Sequence, residues 1–128
     1  LRQRCDRVVG VHVRRGDYAT FRDGRYFYSD DVYRRIMSET AGHLKGSVGF
    51  LIASDSPIDE SAFADFVSIR APGKEIDDLY ALAACDCIIG PPSTYSAWAS
   101  FYGKIPVVHL EDAAQPVPAA ALAHLAAT

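Results

Sequence analysis

The sequence predicts an α/β fold: a Rossmann-like parallel sheet of about five strands with helices on both faces. Three observations carry this expectation. Short β-branched runs without polar alternation read as strands buried on both faces. The segments between them place apolar residues at helical spacing. The two kinds of segment alternate along the chain, which implies right-handed crossovers between parallel neighbours.

Val8-Val9-Gly10-Val11-His12-Val13 is the first such run. Residues 29–44 place Val32, Ile36, Met37, Thr40 and Leu44 on one helical face. Ser29 stands where a cap belongs, and Asp30 and Asp31 suit the positive end of that helix. Val48 to Ala53 is the second strand, and Ser56-Pro57 is expected to open a second helix carrying Phe63 and Phe66. Phe66 to Ile69 fits a short third strand. Residues 75–84 read as a helix packed through Ile76, Leu79, Tyr80 and Ala83, followed by the strand Cys87-Ile88-Ile89. Pro91-Pro92 breaks the chain. Ser93 or Thr94 then caps a helix whose spacing makes Tyr95, Trp98, Ala99 and Tyr102 its core face, and Gly103 is expected to end it. Ile105 to Leu110 is a fifth strand, and 118–127 reads as an Ala-rich helix behind Pro116 and Pro118.

A chain of 128 residues buries about two thirds of its extended surface on folding, enough for one core. One domain over 1–128, or one half of a larger enzyme, is therefore expected, and a start at Leu1 reads as a fragment. Hydrophobic residues at 49% and charged residues at 23% exclude intrinsic disorder. A net charge of −3 lacks the footprint of a general nucleic-acid binder. No apolar run approaches the ~20 residues of a membrane-spanning helix. Cys5, Cys85 and Cys87 are too few and too unevenly placed for a disulfide scaffold, and His12, His43, His109 and His124 are too scattered to complete a zinc set. The cysteines read as small core thiols.

In open parallel sheets, ligands sit beyond the carboxyl ends of the strands. After the first strand comes His12-Val13-Arg14-Arg15-Gly16-Asp17-Tyr18. Two arginines at the mouth of a buried strand need solvent, a carboxylate or an anionic ligand. Guanidinium is a natural fork for a diphosphate, and a structural pair with Asp17 is the plainer alternative. No glycine-rich dinucleotide fingerprint or P-loop follows any strand, which disfavours dehydrogenases and P-loop enzymes. Gly90-Pro91-Pro92-Ser93-Thr94 instead offers hydroxyls and a helix start, either as a simple cap or as a phosphate seat. Asp77 and Asp78 either complement the dipole of the preceding helix or present a carboxylate to guanine N1 and N2.

The stretch His12–Tyr18 resembles the first motif of the α1,2-, α1,6- and protein-O-fucosyltransferase superfamily. Asp78–Leu82 followed by Cys87–Phe101 is similar to its third motif, and Phe50-Leu51-Ile52-Ala53-Ser54-Asp55 is similar to the strand-and-acid segment between them. The likeness spans residues 8–108 with the three pieces in order. It implies the donor-binding, C-terminal half of a GT-B glycosyltransferase that takes GDP-fucose, inverts the anomeric centre, and needs no metal or other cofactor. Its partners would be the nucleotide-sugar donor, a glycan or other hydroxyl acceptor, and an N-terminal domain of the same protein, with no nucleic acid. By position, Arg14 would hold the donor β-phosphate and Arg15 would support the pyrophosphate or the site. Asp17 would organise the arginines or approach the acceptor. The implied catalytic set is thus Arg14, Arg15 and Asp17. His12 and Asp78 would lie near the guanine, Ser93 and Thr94 on the phosphate side, and Asp55 close to the sugar or ribose. The resemblance assigns no catalytic base. Where many relatives carry a polar run, Gly90-Pro91-Pro92 stands here. The prolines remove N–H donors, so phosphate contact falls more heavily on Ser93, Thr94 and Arg14.

Two other readings compete. A non-catalytic nucleotide-binding module would use the same strand ends without an acceptor. Arg15-Gly16-Asp17 spells an adhesion tripeptide, although it follows a buried strand where such ligands need an exposed loop. The aromatics Tyr95, Trp98 and Tyr102 invite a sugar-stacking role, but their spacing reads first as core. Arg34-Arg35 reads as a solvated helix face. Tyr26-Phe27-Tyr28 near Arg25 either lines an acceptor groove or covers the sheet edge.

Overall fold

Every apolar run read as a strand is one. The computed structural model describes residues 5–14 and 28–123. Five strands, β1 (Arg7–Val13), β2 (Val48–Ser54), β3 (Ser68–Arg70), β4 (Cys87–Gly90) and β5 (Val107–His109), form one sheet in the order β3-β2-β1-β4-β5. Every neighbouring pair is parallel. The chain builds β1, β2 and β3 in one direction, then returns to β4 and β5 on the far side of β1. Strand order therefore reverses between β1 and β4, and a crevice opens there at the carboxyl ends.

Among the described residues three α-helices cover the sheet: α1 (Asp30–His43), α2 (Glu75–Ala83) and α3 (Thr94–Gly103). Alternation along β1 assigns the two cores. Val9, Val11 and Val13 join Tyr33, Ile36 and Met37 of α1 on one face. Val8, with Leu51 and Ile88 of the neighbouring strands, meets Leu82 of α2 and Ala99 of α3 on the other. Ser29 caps α1 as expected, its Oγ accepting from the Val32 N–H at 3.3 Å. Tyr33, outside the predicted face, is fully buried and supplies the largest side chain of this helix's buried surface. Cys5, Cys85 and Cys87 are buried and form no disulfide, and burial pushes the Cys87 thiol up to about 12.

Several expectations are corrected. The helix after Ser56-Pro57 is only a 3₁₀ turn, Glu60–Phe63, capped by Asp59. Ser54 Oγ ties residues 54–56 into a local turn, accepting from Ser56 N–H and donating to Ser56 O. The remaining segment is too short for two α-helical turns. Phe63 still reaches the core, while Phe66 packs edge-on to Phe50 before β3 begins at Ser68. The last Ala-rich stretch forms a 3₁₀ turn at Ala119–Leu122, and residues 124–128 lie outside the described residues.

The faces of α2 and α3 are also rotated from the predicted ones. Asp78 and Leu82 are the buried residues of α2, whereas Ile76 and Tyr80 are exposed. Ser96 and Ala99 are buried in α3, whereas Trp98 and Tyr102 are more than 60% exposed. Close packing explains the rotation. A Cβ at Gly103 would lie 2.2 Å from the Ala83 carbonyl oxygen, so the two helices touch through small residues and turn their bulky ones outward. Gly103 is accordingly a close-approach residue and not the left-handed terminator. That conformation falls to Lys104, at φ 56°.

Arg34 and Arg35 are staples and not merely a solvated face. Arg34 forks onto both Asp65 carboxylate oxygens at 2.6 Å. Arg35 binds Glu39 at 2.7 Å and the Ala113 and Gln115 carbonyls, fixing the segment after β5 against α1.

Candidate functional site

His12 and Arg14 are two residues apart at the end of β1, so they point to the same side of the sheet. That side carries α2 and α3. A cavity of about 310 Å³ lies there, lined by His12 and Arg14, by Ser54 and Asp55 after β2, by Gly73, Glu75 and Asp78 at the start of α2, and by Tyr95 of α3. A second groove of about 680 Å³ shares Arg14, Glu75 and Tyr95 with it and adds Ile76, Leu79, Thr94 and Trp98.

Arg14 is the cation common to both. Its Nε lies 3.2 Å from Asp55 Oδ2, with both side chains about 30% exposed. Its backbone N–H donates to the Tyr33 hydroxyl at 3.4 Å, which anchors the strand end to the opposite core. This part-buried pair fixes the guanidinium at the edge of both spaces.

His12 is buried, and among the described residues its Nδ1 has no hydrogen-bond partner. Burial, reinforced by the Arg14 charge and by His109, lowers its pKa to about 4 despite the opposing Asp55. The imidazole is therefore neutral at neutral pH. Its ring lies 5.1 Å from that of Tyr95. The close approach of β4 constrains this end of β1, since a Cβ at Gly90 would lie 2.6 Å from the His12 carbonyl oxygen.

Asp78 is buried, and its Oδ1 accepts from the Gly73 N–H at 2.8 Å. Asp77 stays exposed on the first turn of α2. The two acids thus separate: Asp77 is placed to complement the helix dipole, and Asp78 faces the cavity. Ser93 is buried, its Oγ accepting from the N–H groups of Tyr95 at 3.1 Å and Ser96 at 3.4 Å. It performs the capping role, whereas Thr94 is exposed on the groove beside Arg14.

Of the residues singled out in the sequence, His12, Arg14, Asp55 and Asp78 come together around the cavity, with Thr94 in the adjoining groove and Ser93 as the cap behind it. Arg15, Gly16 and Asp17 lie outside the described residues, as do Arg25, Tyr26 and Phe27. Tyr28 is buried, and its hydroxyl donates to the Leu110 carbonyl oxygen at 2.5 Å. It is a core residue and not part of a groove.

Sequence reasoning misses Glu75 and the Ser96–His109 pair. Helical spacing reads Tyr95 first as core, yet it lines the cavity and its hydroxyl donates to the Glu75 carbonyl oxygen, bracing α3 on α2. Burial, with Asp78 and Glu75 nearby, pushes this phenol up to about 12. Its position one turn from Gly90-Pro91-Pro92, beyond the capping serine, was the available signal. Ser96 Oγ and His109 Nε2 lie 2.9 Å apart, and burial lowers the His109 pKa. Among the described residues, no three His, Cys, Asp or Glu side chains gather as a metal set would require.

Fold and cleft together define a class: a parallel α/β domain of Rossmann strand order with an arginine-bearing polar cleft at its switch point. No known protein family, curated protein or solved structure matches the chain.

Proposed function

We propose that this domain is the donor-binding half of a fucosyltransferase-like glycosyltransferase, with the pyrophosphate of GDP-fucose lying at Arg14. The observation that supports this most is the placement of Arg14. Among the described residues it is the cation where strand order reverses, it is paired with Asp55, and it borders both the cavity and the adjoining groove. The guanine end would lie toward His12 and Asp78, and Thr94 would flank the phosphates. Arg15 and Asp17 complete the proposed catalytic set from the segment that follows β1.

In this mechanism the acceptor oxygen bonds to the anomeric carbon while the bond from that carbon to the β-phosphate oxygen breaks. GDP leaves with the electron pair, and the acceptor proton passes to a base. Negative charge grows on the departing phosphate as positive charge grows on the sugar. Arg14 meets the former with a preorganised cation, which is electrostatic transition-state stabilisation. No metal is required for that role.

The test is a calorimetric and thermal-shift panel of GDP, GDP-fucose, UDP and ADP. Saturable binding confined to the two guanine nucleotides supports the reading, and an equal response to all four, or to none, overturns it. Transfer from GDP-fucose by the protein at its full length separates a transferase from a module that only holds the nucleotide.

A further inference from the structure

The aromatic residues of α3 were expected in the core, and the structure puts Trp98 outside at 64% exposure. An indole left in water forgoes more burial energy than almost any other side chain, so its surroundings are informative. Trp98 does not stand alone. Phe101 meets it edge-on, with centroids 5.9 Å apart and planes at 87°, which braces the indole. Its other neighbours in the 680 Å³ groove include Ile76, the Thr94 hydroxyl, and the charged Glu75 and Arg14.

This mixture selects for a particular chemistry. A purely apolar occupant would strip water from Glu75 and Arg14 without offering them partners. A strongly charged one fits less well: an anion is repelled by the indole face, and a cation, which the indole would attract, is opposed by Arg14. A pyranose satisfies both: one face of its ring is a layer of C–H groups that packs on an aromatic plane, and its rim is a set of hydroxyls that donate to a carboxylate and accept from a guanidinium. We propose that this groove is a sugar subsite, in which a pyranose ring of the acceptor stacks on Trp98 with its hydroxyls toward Glu75, Thr94 and Arg14. That the sugar is the acceptor rests on the donor reading above. Since the groove and the cavity share Arg14, a ring seated on Trp98 lies beside the linkage that would break.

Trp98 is the single tryptophan of the chain, so indole emission reports on this one side chain. The experiment titrates lactose and N,N′-diacetylchitobiose against the protein, following Trp98 emission and, in parallel, saturation-transfer NMR of the sugar protons. GDP binding is measured separately by calorimetry. A saturable emission change with transfer to one ring face is expected. Trp98→Ala should weaken the NMR-detected sugar binding at least tenfold and leave GDP affinity within twofold. GDP binding with no saturable sugar binding overturns the subsite while leaving the donor reading intact. Sugar binding without GDP binding upholds the subsite and overturns the donor reading. Sugar binding unchanged in Trp98→Ala, or a Trp98-dependent dimer in sedimentation that excludes the sugars, also overturns the subsite.

Discussion

At the scale of single residues, the cleft depends on two side chains from one strand end that carry opposite electrostatic duties. Arg14 is part-buried and paired with Asp55, so truncating it removes one charge-assisted contact from the fold. Arg14→Ala should cost about 1–3 kcal/mol of unfolding free energy, and lower GDP affinity roughly 10²-fold through loss of charge-assisted bonds to phosphate. Calorimetry and urea unfolding on the same variant check both halves. His12 is held neutral instead. Its ordinary value of 6.5 falls to about 4 on folding, chiefly through burial. Between those pH values the unfolded chain binds a proton that the folded one refuses. Stability is therefore full above pH 6.5 and is lost as pH falls toward 4. The loss should reach about 2 kcal/mol by pH 5, with the lowered His109 acting in the same direction. Urea midpoints at pH 7 and pH 5 measure it, and His12→Gln should flatten the difference.

At the scale of elements, the contact between α2 and α3 decides which residues reach the site. Gly103 lets the end of α3 meet the backbone of Ala83. Gly103→Ala should cost about 1–3 kcal/mol through overpacking, despite the better helix propensity of alanine. Lys104, one residue on, holds the left-handed conformation without being glycine. Lys104→Gly should therefore stabilise by several tenths to about 1 kcal/mol. Chemical denaturation of the pair of variants distinguishes this arrangement from the simpler one in which Gly103 is the terminator: there, Gly103→Ala would be strained by its φ and Lys104→Gly would bring no gain. The same contact turns Trp98 and Tyr102 away from the sheet, and the Tyr95 hydroxyl on Glu75 fixes the cleft wall.

At the scale of the whole molecule, the strand order β3-β2-β1-β4-β5 creates the crevice by reversing direction at β1. The walls of the cavity come from four separate segments of chain, each held by its own core contacts. A ligand bridging them should stabilise the fold as a unit. At a hundred times its dissociation constant, GDP should add about 2.7 kcal/mol, raising the melting temperature of a domain this size by roughly 10 °C. Differential scanning calorimetry with and without GDP reads this directly, and the rise should largely vanish in Arg14→Ala.

Strand positions, the parallel class, the cap at Ser29 and the place of Arg14 at the mouth of the first strand were legible in the order of the residues, whereas His12, Asp55 and Asp78 were expected beside it through the family resemblance. A doubly buried strand needs continuous apolar side chains, and the carboxyl ends of parallel strands necessarily share one edge. The rotation of α2 and α3 was not legible, nor was the entry of Tyr95 and Glu75 into the cleft. Helical spacing marks which residues share a stripe, but backbone contact between helices decides which stripe faces inward. Here Gly103 against Ala83 outweighs the hydrophobicity of a tryptophan and two tyrosines. The partner of Arg14 was equally hidden: Asp55 is 41 residues away in sequence, and only the parallel pairing of β1 with β2 sets it beside the guanidinium.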